Sequence, residues 1–87
     1  MVSKKLTVRN PQGFHMRSAM NFANAIGKYS CEVFIKSNGA ETNGKSIMNL
    51  IAAGIKCGTN IEIICSGEQE QEALNEAVSM VESGFGE

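Results

Sequence analysis

The single histidine of the chain, His15, is the side chain best suited to a chemical role. It follows Gly13 and Phe14 and stands just before a segment with helical periodicity, where the first backbone N–H groups of a helix lack intrahelical partners. The helix dipole favours negative charge at the same place. Arg17 opposes that dipole, so its presence is better explained if an anion binds nearby. A nucleophilic imidazole, a helix N-terminus and a guanidinium together indicate a site that accepts a phosphoryl group.

A plainer interpretation of His15 is a surface histidine that serves as a mediocre helix cap. Histidine is common at junctions between loops and helices, and one arginine is weak support for an anion site. The residues by themselves leave both interpretations open.

Ser46 is the second residue with a candidate chemical role. It precedes Ile47, Leu50 and Ile51, which have helical spacing, and serine is a favoured N-cap residue. Capping explains this serine sufficiently, with a contribution of about 1 kcal/mol. A phosphorylation site is compatible with capping, because phosphate is electrostatically favoured at a helix N-terminus.

Methionines form the third feature. Met48 lies off the apolar stripe of the helix that begins after Ser46, and Met16 and Met20 belong to the first helical segment. Exposed methionines near a helix start often mark an adaptable contact surface, whereas buried methionines fill gaps in a core. With Ile47, these side chains are either a docking patch or core, and their spacing does not decide.

Other catalytic arrangements are missing from the sequence, which has no P-loop, no paired carboxylates and no Ser/His/Asp set. Cys31, Cys57 and Cys65 are an odd number without a C-x-x-C motif, and one histidine does not make a zinc site. We expect three reduced thiols, with Cys31 and Cys65 acting as small apolar side chains, and no metal or cofactor. A self-sufficient hydrolase or kinase is therefore not expected.

Length and composition bound the class of protein. The 87 residues suffice for one domain over 1–87, because a chain this short builds only one core. Apolar residues make up 43% and charged residues 20%, which is typical of a folded soluble domain. Eight basic and nine acidic residues, without a basic cluster, argue against direct nucleic-acid binding. Neither a membrane span nor a signal peptide is visible, so we expect a cytoplasmic location without membrane insertion.

Hydrophobic periodicity divides the chain into seven elements. They are a strand over 2–9, a helix from 16 to about 28, a strand over 31–36, a short strand from about 40 to 43, a helix after 46, a strand over 60–66 and a helix from about 68 to 83. Asn38-Gly39 predicts a tight hairpin, because both turn positions tolerate positive φ. Ser66 with Gln69 predicts a capping box for the last helix, and Gly27 is a stop signal for the first.

The order β-α-β-β-α-β-α indicates an α+β fold of two layers, a four-stranded sheet with three helices covering one face. The apolar residues of the first helical segment have the spacing of an amphipathic helix. They are Met16, Ala19, Met20, Ala23 and Ile26, with Phe22 beside them.

The segment from Gly13 to Ala19 resembles the active-site signature of HPr, the histidine-containing phosphocarrier family of the bacterial phosphoenolpyruvate:sugar phosphotransferase system. The family pattern is glycine, an apolar residue, histidine, usually a small residue, arginine, proline and alanine. The tetrapeptide Lys-Ser-Ile-Met at 45–48 resembles the regulatory serine motif of HPr proteins from low-GC Gram-positive bacteria. The resemblance covers essentially the whole chain, and the family's open-faced β-sandwich agrees with the layers predicted above.

This resemblance implies a phosphocarrier rather than an enzyme. Phosphorylated Enzyme I would pass a phosphoryl group to a ring nitrogen of His15, and the chain would hand it to sugar-specific IIA proteins or domains, with Arg17 assisting both transfers. An apolar patch beside the histidine would dock these partners. The implied patch comprises Met20, Ile47, Met48 and Ile51, which Met16 either extends or obstructs.

The resemblance also implies regulation at Ser46. An ATP-dependent HPr kinase/phosphorylase would modify this serine, and the modified form would serve as corepressor for a catabolite-control repressor. Two further hypotheses stay open: a regulatory module with weak transfer at His15, and a plain interaction domain. We expect a monomer.

Three residues depart from the family pattern. Ser18 occupies the usual proline position, which restores a backbone N–H and removes the rigidity of the proline ring. Met16 replaces a small residue, and Asn49 stands where Gram-positive relatives often have glycine. These departures bear on transfer rate and partner choice more than on the chemistry.

Overall fold

Seven regular elements follow the predicted order β-α-β-β-α-β-α. A computed structural model describes residues 1–86, so Glu87, the last residue of the predicted domain, lies outside the described residues. The elements are β1 (Val2–Thr7), α1 (Met16–Ile26), β2 (Glu32–Ser37), β3 (Ala40–Asn43), α2 (Ile47–Ala52), β4 (Asn60–Ser66) and α3 (Glu70–Glu82), followed by a 3-10 turn over Gly84–Gly86. None of the helices within residues 1–86 has the length and apolar character needed to cross a membrane.

The four strands form one antiparallel sheet in the order β1-β4-β2-β3. Alternate residues of β4 point to opposite faces, and Ile61, Ile63 and Cys65 are buried beneath the helices. Helix α3 packs on β1 and β4, while α1 contacts both α2 and α3. The predicted α+β sandwich, with three helices on one face of the sheet, is confirmed.

The uncovered face of the sheet carries a row of alternating charges. Lys5 lies opposite Glu62, Glu62 opposite Lys36, and Lys36 opposite Glu41, so the row crosses all four strands. Unlike charges directly opposite each other stabilise a sheet by about 0.2–1 kcal/mol per pair. The row also keeps this face hydrated, because burying it would remove four charges from water. The helices therefore cover the other face alone.

The buried face of α1 includes only some of the apolar residues that have helical spacing. Met16 and Met20 are 58% and 42% exposed, so they do not belong to the core, a question that their spacing left open. The side chains that α1 does bury are Ser18, Ala19, Phe22, Ala23 and Ile26. Phe22 is fully buried, and its ring contacts those of Phe14 and Phe85 at centroid distances of 5.4 and 6.1 Å.

The start of α3 also differs from the prediction. The helix begins at Glu70, and Gln69 has a left-handed conformation with φ of 59°. The Gln69 side chain is used elsewhere, since its Oε1 accepts the Ser30 N–H at 2.9 Å. The Glu70 carboxylate instead accepts the Gly67 N–H at 3.0 Å, which lowers the pKa of Glu70. The predicted capping box between Ser66 and Gln69 was therefore wrong.

Other local predictions are confirmed. Asn38 and Gly39 have φ values of 49° and 81°, as the tight hairpin between β2 and β3 requires. Gly27 is the C-cap of α1, although with a right-handed φ of −63°. Helix α1 thus ends without the left-handed residue that a glycine stop often supplies.

The three cysteines differ in environment. Cys65 is fully buried, and burial, followed by the neighbouring Cys31, raises the pKa of its thiol to about 11. Cys65 therefore stays protonated and packs as a small apolar side chain beside the partly buried Cys31. Cys57 is exposed, and its thiol lies 3.6 Å from the Arg9 carbonyl oxygen. Within residues 1–86, no three His, Cys, Asp or Glu side chains form a group that could hold a metal ion.

The loop before α1 is pressed against the segment after α2. Gly13 has φ of +63°, and a Cβ there would lie 2.3 Å from the Ile55 carbonyl oxygen and 2.6 Å from the Lys56 Cα. Both are backbone atoms that cannot rotate aside. Only glycine therefore allows the loop that leads to α1 to approach this closely.

We expect Gly13→Ala to lower the free energy of unfolding by about 3 kcal/mol, because it adds a backbone clash to an unfavourable φ. The matched control is Gly54→Ala, since Gly54 has φ of +66° but a Cβ there would meet no atom within 4 Å. Gly54→Ala should cost only about 1 kcal/mol, from backbone strain alone. Urea unfolding of both variants measures the difference, and equal losses would contradict the close approach at Gly13.

Candidate functional site

His15 is the N-cap residue of α1, one of the two positions that the sequence allows, at the N-cap or just before it. Its backbone is extended, with φ of −121° and ψ of −173°, and its carbonyl accepts the first helical bond, from the Ala19 N–H at 2.9 Å. The imidazole is half-buried. The histidine ring thus stands at the positive end of the helix dipole, beside the first N–H groups of α1.

His15 and Ser18 face each other in a capping-box arrangement. The His15 N–H donates to the Ser18 hydroxyl at 3.0 Å, and the imidazole is turned toward the backbone N–H of Ser18. The hydroxyl in turn donates to the Gly13 carbonyl at 2.9 Å. The serine that replaces the family's proline therefore ties the loop to the helix through its side chain.

The loop is also held by partners that sequence reasoning missed. The Phe14 N–H donates to the Ile55 carbonyl at 2.9 Å, and the Phe14 ring lies 4.8 Å from that of Phe85. The Asn10 side-chain amide donates to the Gly13 carbonyl at 2.6 Å. The turn residues before His15 indicate an ordered loop, but the local sequence does not predict its contacts with Ile55 and Phe85.

Arg17 is the second residue of α1, and its side chain is exposed. The first turn of α1 has no acidic residue. The positive potential of the helix end is therefore increased by the guanidinium and is not offset by a carboxylate from the same turn. Such a site favours an incoming anion with several acceptor oxygens.

Ser46 is the N-cap residue of α2, as the sequence predicts. Its hydroxyl accepts the Asn49 N–H at 3.2 Å, and the residue is half-buried. The neighbouring Lys45 directs its ammonium to the Tyr29 carbonyl at 2.6 Å. The segment before α2 is thus held in place while the serine side chain remains partly accessible.

The residues of the predicted docking patch lie on two helices in contact, α1 and α2. Met16 and Met20 project from α1, and Met48, on α2, is 72% exposed, so none of these methionines fills the core. Ile47 and Ile51 are partly buried against the core. We use the term methionine patch for Met16, Met20, Ile47, Met48 and Ile51. Its three methionines are exposed, and its two isoleucines are partly buried against the core.

Comparison with known proteins assigns the family. The family model described as the PTS HPr component phosphorylation site matches residues 2–83. The phosphocarrier protein HPr of Pseudomonas aeruginosa is 36% identical, with 100% of this chain and 98% of that protein covered. The HPr-like protein Crh of Bacillus subtilis is 35% identical, with 94% and 96% covered.

A solved structure of HPr from Thermoanaerobacter tengcongensis has the same fold, with a TM-score of 0.95 and 30% identity. The alignment covers 100% of this chain and 98% of that chain. Since the sequence match and the structural match both extend over nearly the whole molecule, the chain belongs to the HPr family of phosphocarrier proteins of the phosphotransferase system.

Proposed function

We propose that this chain accepts a phosphoryl group on His15 from phosphorylated Enzyme I and passes it to sugar-specific IIA proteins or domains. The observation that carries this proposal is the position of the half-buried imidazole at the N-cap of α1. A phosphoryl group on that ring would lie beside the backbone N–H groups of the first turn and the exposed Arg17 side chain.

The transfer needs little covalent chemistry from the carrier. A lone pair on a ring nitrogen of His15 attacks the phosphorus, and a new P–N bond forms as the bond to Enzyme I breaks. The bonding electron pair returns to Enzyme I. Phosphoryl transfer depends mainly on such positioning and on electrostatic stabilisation of the moving charge. The chain turns over between its partners and catalyses no net reaction alone.

The methionine patch is the proposed docking surface for Enzyme I and the IIA components. Flexible methionine side chains adapt to different partners, which suits a carrier that must dock on donor and acceptor in turn. The contact of α1 with α2 supports this use, because it places the patch on the same helix layer as His15.

A second candidate function is regulation through Ser46. The partial exposure of this N-cap serine supports its modification by an HPr kinase/phosphorylase, with the phosphorylated chain acting on a catabolite-control repressor. Similarity to the HPr-like protein Crh favours retaining this alternative. Such regulation is compatible with the carrier function; in the alternative of a mainly regulatory module, transfer at His15 is weak.

Incubation with Enzyme I and phosphoenolpyruvate should add one acid-labile phosphoryl group to the chain, and His15→Ala should abolish it. Arg17→Ala should slow labelling roughly 100-fold or more, as the loss of a charge-stabilising donor does elsewhere. Lys36→Ala removes one positive charge on the uncovered sheet face and should label normally. Intact-mass analysis over time measures all four proteins. Unlabelled wild type, with Enzyme I active on another HPr, would refute the carrier function.

Truncation of the methionine patch should weaken docking without changing the chemistry. We expect Met48→Ala to raise the KM for the chain as substrate of Enzyme I roughly 3- to 10-fold with kcat unchanged. Gln71→Ala, at an exposed position of α3, is the control and should change neither constant. A change in kcat alone would be evidence against a docking role for Met48.

Ser46→Ala tests the regulatory site independently of the carrier site. It should abolish ATP-dependent labelling by an HPr kinase while His15→Ala retains that labelling. Loss of the hydroxyl that caps α2 should also lower the free energy of unfolding by about 1 kcal/mol. Labelling from Enzyme I should persist in Ser46→Ala. ATP-dependent labelling that survives this substitution would place the modification on another residue.

A further inference from the structure

Ser18 is an unusual residue for the core, because it is polar and 0% exposed. Its hydroxyl accepts the His15 N–H at 3.0 Å and lies 2.9 Å from the Gly13 carbonyl oxygen and 3.4 Å from the His15 carbonyl oxygen. A hydroxyl has one proton to donate, and the shorter distance assigns it to Gly13. One side chain therefore contacts the backbone on both sides of Phe14.

The Gly13 carbonyl has a second donor. The Asn10 Nδ2 lies 2.6 Å from the same oxygen, and a carbonyl oxygen has two lone pairs with which to accept both bonds. Asn10 is 3% exposed. The Gly13 carbonyl thus accepts one bond from Asn10, before it in the loop, and one from Ser18, in the helix that follows. Both donors are buried, so water does not compete for these bonds.

These bonds restrict the backbone of His15 before any partner docks. The His15 N–H is held by Ser18, and the preceding N–H, of Phe14, is held by the Ile55 carbonyl at 2.9 Å. Neighbouring N–H groups are therefore bonded to two different parts of the chain, one to α1 and the other to the segment after α2. Little backbone freedom remains in the residue that carries the imidazole.

We infer that Ser18 is a positioning residue for phosphoryl transfer, which holds the His15 backbone so that the imidazole stands ready at the end of α1. This inference rests on the proposed transfer at His15. A reactive group held in place needs less ordering when the donor arrives, and small misplacements cost large factors in rate. Ser18 acts through hydrogen bonds to the loop and does not itself contact the phosphoryl group.

The first test measures hydrogen exchange of the His15 amide by NMR in Ser18→Ala. Loss of its acceptor should accelerate this exchange at least tenfold relative to wild type. Ser37→Ala is the control, because Ser37 is another buried serine, 8% exposed, in the β2–β3 hairpin. It should leave exchange at His15 unchanged. Unchanged exchange in Ser18→Ala would overturn the inference.

The second test compares transfer from Enzyme I at a temperature well below the unfolding midpoint of each variant. Ser18→Ala should lower kcat roughly 3- to 30-fold with little change in KM, because docking is intact and the acceptor is less well placed. Asn10→Ala removes the other donor to the Gly13 carbonyl and should also lower kcat. It replaces Ser18→Ala in this test if that variant does not fold.

The outcomes separate the two proposals. A wild type that is labelled, with a Ser18→Ala variant of normal kcat, would overturn the positioning role and leave the carrier function intact. A wild type that is never labelled would overturn both. If the wild type is never labelled but His15 amide exchange is faster in Ser18→Ala, the Ser18 hydrogen bonds stabilise the fold and have no role in transfer.

Discussion

The close approach of Gly13 to the backbone of Ile55 and Lys56 is the constraint on which the site depends. Two backbone segments distant in the sequence touch there without a side chain between them. The Phe14 N–H can reach the Ile55 carbonyl only because of this approach. With that bond in place, the Phe14 ring packs in the core, and the next residue, His15, is half-buried. Because Gly13 has no Cβ, the loop can take the position in which Phe14 is buried and the next residue, His15, carries the reactive ring.

The support beneath the site is buried, polar and well bonded, whereas the groups that would meet a partner are partly or fully exposed. Asn10 and Ser18 satisfy the Gly13 carbonyl in the interior, where an unpaired oxygen would cost about 1–3 kcal/mol. Arg17 and the methionines are exposed, so their side chains can change conformation to fit a partner. This division suits a carrier, which needs one fixed acceptor atom and a surface that accommodates several partners.

Ser18 shows how a departure from the family pattern can be accommodated physically. Proline at this position restricts the backbone through its ring and lacks an N–H. Ser18 retains the N–H, toward which the His15 imidazole is turned, and restrains the loop through its hydroxyl. The expected loss of rigidity is therefore offset by the hydrogen bonds of the Ser18 hydroxyl to the loop backbone.

The sequence by itself determined the order of the elements, the bounds of β3 and β4, the β2–β3 hairpin, the N-cap position of Ser46 and the place of His15 at the start of α1. These features follow from alternation, helical spacing and turn preferences, which are local properties of the chain. The family likewise followed from two short motifs at the proper separation, and the comparisons confirm it.

Only the tertiary structure decided which side chains of α1 are buried, where α3 begins and what holds the loop before His15. Ser18 is buried because its hydroxyl bonds the Gly13 carbonyl and the His15 N–H of the loop, whereas Met20 is 42% exposed. Gln69 does not join a capping box because the Ser30 N–H, 39 residues away in the chain, is its partner. These features depend on contacts between residues far apart in the sequence, which local periodicity cannot predict.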